Sequence, residues 1–185
     1  MGIIFQNLKP TVAAIALLVV NSLPVSAQQD VNSLLEQLKS AEAGEVAKIE
    51  RALLREWSKS GSTAMDLLLR RGRDAMEAQE WDVAIEHFTA LTDHAPDFAE
   101  GWHARATAYF RADLYGPAMS DLERALALNP DHFEAIFGLG AMMMELDRLS
   151  LADKAFRHVL TLHPTHENAT KALEQLARQG IGRTL

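Results

Sequence analysis

The chain has 185 residues and a formal charge of −7, with 48% hydrophobic and 23% charged residues and no cysteine. Length and composition fit one ordinary soluble domain, and the acidic balance, with cations interleaved among acids as in Arg70-Arg71-Gly72-Arg73-Asp74, argues against a nucleic-acid surface. Without cysteine there is no disulfide framework, no thiolate metal site, no thiol nucleophile and no acylation site for a lipoprotein anchor.

At the amino terminus, Lys9 precedes the apolar run Val12–Val20, then the breaker Leu23-Pro24 and the small residues of Val25-Ser26-Ala27. This order predicts a cleavable secretory signal over residues 1–27, and the run is too short for the ~20 residues that span a bilayer. The mature chain is therefore expected to have no integral membrane span. Export of a cysteine-free protein points to the periplasm of a Gram-negative bacterium.

Residues 28–62 read as an amino-terminal helical cap. Val31–Lys39 and Val46–Lys59 have helical apolar spacing, joined by Ala41-Glu42-Ala43-Gly44, and Ser60-Gly61-Ser62 breaks the chain before the next element. From there the sequence repeats itself. Pro96, Pro130 and Pro164 stand 34 apart, and the same stride carries Gly72/Ala106/Gly140, Trp81/Tyr115/Leu149, Ala84/Ala118/Ala152, Phe88/Leu122/Phe156 and Leu91/Ala125/Val159. Leu68, Trp102 and Ile136 open a first helix in each unit, whose small residue lets the alanine-bearing second helix approach closely. The prolines mark helix starts, and Asp97 and Asp131 are expected in the opening turns, at the positive end of the helix dipole. Three units follow, 63–96, 97–130 and 131–164. Residues 165–185 then supply a capping helix, with Ala169, Leu173 and Leu176 on one stripe, and a tail.

This pattern resembles the tetratricopeptide repeat, best in the middle unit, where Trp102, Ala106, Tyr109, Tyr115, Ala118, Ala125 and Pro130 occupy the family's usual slots. Arg71 and Arg105 depart from it by replacing a usual leucine, and Ala75 by replacing a tyrosine. The fold class expected is all-α, an α-solenoid of three helix-turn-helix units. The resemblance also implies a concave groove lined by the first helices: Asp66, Leu69, Arg73 and Met76, then Glu100, His103, Thr107, Phe110 and Arg111, then Glu134, Phe137, Ala141, Met144 and Glu145. Relatives that grip chaperone tails carry Lys and Asn there. Leu69, His103, Thr107, Phe137 and Ala141 stand in those slots here, which disfavours that clamp.

No catalytic or cofactor motif is visible. His163-Pro164-Thr165-His166 has a bend between its histidines, the others (His87, His94, His103, His132, His158) fall on different helices, and Gly138-Leu139-Gly140 belongs to a packing column. Met142-Met143-Met144 point in three directions on a helix, with Met143 expected in the core and Met144 in the groove. The resulting expectation is a non-enzymatic adaptor without cofactor or metal, binding a protein or peptide such as an envelope enzyme or an outer-membrane assembly factor. Two rivals are an enzyme or metal carrier with an unrecognised site and a stacked structural oligomer. A further alternative for the groove is that the amino-terminal helices occupy it.

Overall fold

A computed structural model describes the backbone of residues 25–182, with side chains from residue 31. Its helices are α1 (Val25–Ser40), α2 (Ala43–Trp57), α3 (Thr63–Glu77), α4 (Trp81–His94), α5 (Ala99–Arg111), α6 (Tyr115–Leu128), α7 (Phe133–Glu145), α8 (Leu149–Leu162) and α9 (Glu167–Arg178). There is no strand among the described residues, and none of their helices is long and apolar enough to cross a membrane. Residues 1–24 of the expected leader and 183–185 of the tail lie outside this range.

Helix pairs α3/α4, α5/α6 and α7/α8 form the three units, and α9 packs on α8. The alanine column is fully buried at Ala84, Ala118 and Ala152. Packing between paired helices is matched in size: Gly72 and Gly140 face Phe88 and Phe156, whereas Ala106 accompanies Leu122. A methyl group at Gly140 would lie 2.5 Å from Phe156 Cε1, so glycine is what lets that ring sit there.

Each pair turns through a left-handed residue, Gln79 (φ 62°), Asp113 (φ 59°) and Asp147 (φ 55°), again 34 apart. The amides of Glu80, Leu114 and Arg148 donate back to the carbonyls of Ala75, Tyr109 and Met143, which closes the end of each first helix.

The proline turns differ from expectation. α5 and α7 begin two residues after Asp97 and Asp131, so these carboxylates lie in the turn and not in the first helical turn. Phe98, His132 and His166 occupy the N-cap position instead. The link between α1 and α2 is also shorter than read, because α2 already includes Ala43 and Gly44.

The amino-terminal hairpin is placed differently from a cap in front of the first unit. Leu35, Leu38, Leu53 and Trp57 join one apolar cluster with Phe133, Leu162, Ala169 and Leu176, so α1 and α2 lie along the side of the stack, across the starts of α7 and α9. The first unit needs no cover, because α3 turns Arg70, Arg71 and Asp74 to solvent. Arg71, a departure from the family pattern, is a residue suited to the exposed end of a stack.

Candidate functional site: a cavity between α5 and α7 and the buried ion cluster beside it

The first helices of the second and third units enclose a cavity of about 360 Å³. One residue per turn of α5 faces it (His103, Thr107, Phe110, with Arg111 at the rim), and Glu134, Phe137 and Ala141 face it from α7. Ala106, Leu122 and Met142 form the floor. Phe110 leans on Tyr115, with centroids 5.6 Å apart. Phe137 is wedged between Phe156 (5.4 Å) and His166 (5.2 Å). Thr107 donates its hydroxyl to the His103 carbonyl at 3.0 Å. Arg111 is exposed and has no ion-pair partner among the described residues. The cavity is thus an apolar and aromatic slot with one free cation at its mouth and one carboxylate, Glu134, on its wall.

Seven of the expected groove residues meet here: His103, Thr107, Phe110, Arg111, Glu134, Phe137 and Ala141. The first unit contributes differently. Leu69 is only 1% exposed and packs with Phe88 and Leu91, so it is core and not groove. Met76 packs against the same core. Asp66 accepts hydrogen bonds from the Ser60 amide (2.9 Å) and hydroxyl (2.6 Å), tying down the loop before α3. The methionine register also shifts. Met142 is the fully buried one and Met143 is partly exposed, while Met144 lies in the cluster that α9 covers, away from this cavity. α9 occupies on the third unit the place that an α7 occupies on the second, so the side chains beneath it are covered.

Arg73 and Glu100 are drawn into a buried cluster beside the cavity. Glu100 is 7% exposed, and the Arg73 guanidinium donates both to its Oε1 and to the Ser58 hydroxyl. The other carboxylate oxygen faces His132 Nε2 at 2.8 Å and His103 Nδ1 at 3.2 Å. His132 also caps α7, because its Nδ1 accepts the Ala135 amide at 3.3 Å. That bond fixes the tautomer: Nδ1 is bare, so Nε2 carries the proton that is donated to Glu100. Trp57 of α2 stacks on the same imidazole, centroids 4.5 Å apart and planes 23° off parallel. One carboxylate therefore links the first, second and third units and the seat of the hairpin.

Electrostatics follow from this crowding. Burial works to raise the Glu100 carboxyl, but the charge and hydrogen bonds of His103 and His132 hold it well below the usual carboxylate range. Burial works to lower His103, and Glu100 overcomes it, leaving that imidazole raised. His132 ends lowered, by burial first and by the neighbouring His103 second. An ionised Glu100 thus lies between the Arg73 guanidinium and two imidazoles whose tendencies to protonate are pushed in opposite directions.

The same device recurs one unit on. His166 Nδ1 accepts the Ala169 amide at 3.1 Å and Nε2 points at Glu134 Oε1, 3.6 Å away. Its signal is present in the sequence as the columns Phe98/His132/His166 and Asp66/Glu100/Glu134, at the 34-residue stride.

Glu100, His103 and His132 bring their donor atoms within 4.8 Å of one another, a spacing that a metal ion would accept. Their chemistry does not fit one. Coordination through His132 Nε2 would move its proton to Nδ1, against the Ala135 amide hydrogen. His163 and His166 face separate carboxylates, Glu50 at 3.7 Å and Glu134 at 3.6 Å.

Comparison with known proteins agrees with this architecture. The family described as "Tetratricopeptide repeat" matches residues 99–142. A TPR repeat-containing protein of Rhizobium etli is 30% identical over 158 residues, covering 85% of this chain and 78% of that protein. Human RNA polymerase II-associated protein 3 is 28% identical over 153 residues, 82% of this chain, which spans only 23% of that protein's length. Among solved structures, the first TPR of Spaghetti bound to the HSP90 peptide SRMEEVD aligns with a TM-score of 0.60 and 30% identity over 62% of this chain and 91% of that one. MamA aligns over 76% of this chain and 85% of its own, with a TM-score of 0.59 and 20% identity, a likeness of fold.

Proposed function

Because the chain belongs to the tetratricopeptide repeat family, we propose that it is a non-catalytic adaptor that holds a peptide segment of a partner protein in the cavity between α5 and α7. The observation that carries this reading is that the cavity remains open: the hairpin lies across the helix starts, and the wall from His103 to Arg111 faces a space of about 360 Å³. The peptide-bound Spaghetti domain supports the same mode of use.

The lining selects the occupant. Phe110 and Phe137 above an Ala106, Leu122 and Met142 floor accept a large apolar side chain, and Arg111 receives a carboxylate beside it. A tail as acidic as SRMEEVD meets Glu134 and finds no lysine in this wall. The bound segment is therefore an apolar anchor with a single acidic neighbour.

Its place of action in this reading is the cell envelope, with envelope enzymes or assembly factors as partners. That rests on the leader-like residues 1–27. Amino-terminal sequencing of the protein recovered from a periplasmic fraction should begin at Gln28, and an intact terminus in the cytoplasm would remove this part.

The groove is tested by affinity capture from an envelope extract with Phe110→Ala and, separately, Arg111→Glu. Phe137 is the poorer choice because it props Phe156 and His166. Both variants should keep the wild-type circular dichroism and lose at least tenfold in partner capture. Undiminished capture by both would take the cavity out of the account.

A further inference from the structure

The internal repeat allows one surface of the molecule to be compared with another. On the outer side of the first-to-second-unit contact, the space is filled by the chain itself. Trp102 donates its indole N–H to the Pro96 carbonyl at 2.9 Å. Arg105 lies over that indole, 4.9 Å from the centroid, and pairs in two-pronged fashion with Asp121 at 2.7 and 2.9 Å. Its remaining nitrogen donates to the Thr89 hydroxyl at 3.3 Å.

The same space between the second and third units is lined by the residues 34 further on, and the four groups that fill the first slot have shrunk. Ile136 stands for Trp102, Leu139 for Arg105, Met143 for Tyr109 and Ala155 for Asp121. What remains is an open apolar slot of about 590 Å³ between α6, α7 and α8, with half-exposed Leu151 (47%) at its lip. Other lining positions have grown, with Leu151 for Pro117, Leu126 for Thr92 and, on α8, Lys154 for Ser120. Thr89, which receives the Arg105 guanidinium in the filled slot, is replaced by Glu123. Glu123 is exposed and has no ion-pair partner among the described residues. The empty slot thus keeps the apolar room and gains a carboxylate where a guanidinium docks one unit earlier.

We infer that this slot is a second docking site, for a helical segment of a partner protein that presents a tryptophan and, three residues on, an arginine. In it the partner's indole takes the place of Trp102, within reach of the Pro130 carbonyl, and its guanidinium meets Glu123. The warrant is internal: the molecule shows in one slot which pair of side chains fits that shape, and the other slot carries Glu123 at the position where that guanidinium docks, with Lys154 on the α8 side. The site is on the opposite side of α7 from the cavity that takes the apolar anchor, so the two are independent.

The probe is an alanine-based helical peptide carrying Trp and Arg at positions i and i+3, labelled and titrated with the full-length protein by fluorescence anisotropy. Replacing its Trp by Ala should weaken binding at least tenfold, and replacing its Arg by Gln about threefold to tenfold. Glu123→Gln in the protein should cost the same as the Arg replacement, with no further loss when both are combined. Ile136→Trp with Leu139→Arg, which rebuilds the filled slot, should abolish binding; Leu151→Asp at the half-exposed lip gives the same readout without entering the core. Phe110→Ala should leave binding unchanged. Equal binding of the Trp and Ala peptides, or unaltered binding by the Leu151→Asp protein, would overturn the assignment.

Discussion

Gly140 and Phe156 provide the sharpest test of how the units are built. An alanine at 140 gains about 1 kcal/mol of helix propensity over glycine. Its methyl group, however, would lie 2.5 Å from Cε1 and 2.8 Å from Cδ1 of a ring that is 1% exposed and has no room to retreat. Overpacking of this kind costs roughly 1–3 kcal/mol, so Gly140→Ala should lose about 1 kcal/mol net. Phe156→Leu alone empties part of the same space and should lose ~1–2 kcal/mol. The pair together reproduces the Ala106 and Leu122 of the middle unit, where both side chains fit. The double variant should therefore be more stable than the sum of the single losses by about 2 kcal/mol. Urea denaturation of all four proteins, followed by tryptophan fluorescence and far-ultraviolet circular dichroism, gives the coupling directly. Additivity within ~0.5 kcal/mol would refute the size-matching argument.

Three further outcomes are expected. Arg105→Leu should cost ~3–5 kcal/mol in urea denaturation because it strands a buried Asp121, while Arg105→Leu with Asp121→Ala, the pair found at Leu139 and Ala155, should recover most of that loss. Gln79→Gly should raise stability by about 0.5–1 kcal/mol in the same assay, since a left-handed glutamine is strained and glycine is not. Acidification from pH 7 to 5 should act through two opposing groups. His132 is lowered in the fold, so its contribution is present above the ordinary histidine value near 6.5 and is lost as pH falls from there through its folded value; His103 is raised, so its contribution is full below ~6.5 and is lost as pH rises through its folded value. Against wild type, His132→Asn should flatten the acid loss and His103→Asn should remove the loss at higher pH; identical pH profiles for all three would contradict the assignment.

The period carried most of the fold in plain view. Alanines at 84, 118 and 152 and their large neighbours recur because each unit must bury the same face against the next, so spacing alone placed the core. The hairpin was not legible in this way. Its seat depends on Trp57 meeting His132, a contact between segments that share no period. Leu69 stands at a lining position of the repeat but belongs to an end unit, where an apolar side chain can be drawn into the core. The Glu100 cluster did leave a signal, in His132/His166 and Glu100/Glu134 at the repeat stride, but these residues share no metal-ligand spacing along the chain and so looked scattered. They act instead as a cap and its acceptor, whose spacing is that of the stack.

The side-on seat of α1 and α2 alters how such an array comes apart. In a bare row of repeats each unit answers only to its neighbours, and a frayed end can unzip one pair at a time. Here Ser58 is tied to Arg73, Trp57 to His132 and Glu50 to His163, so one short hairpin splints the row from its first pair to its closing helix. Opening any one joint must strain the splint at the others, and melting of the whole should occur as a single event.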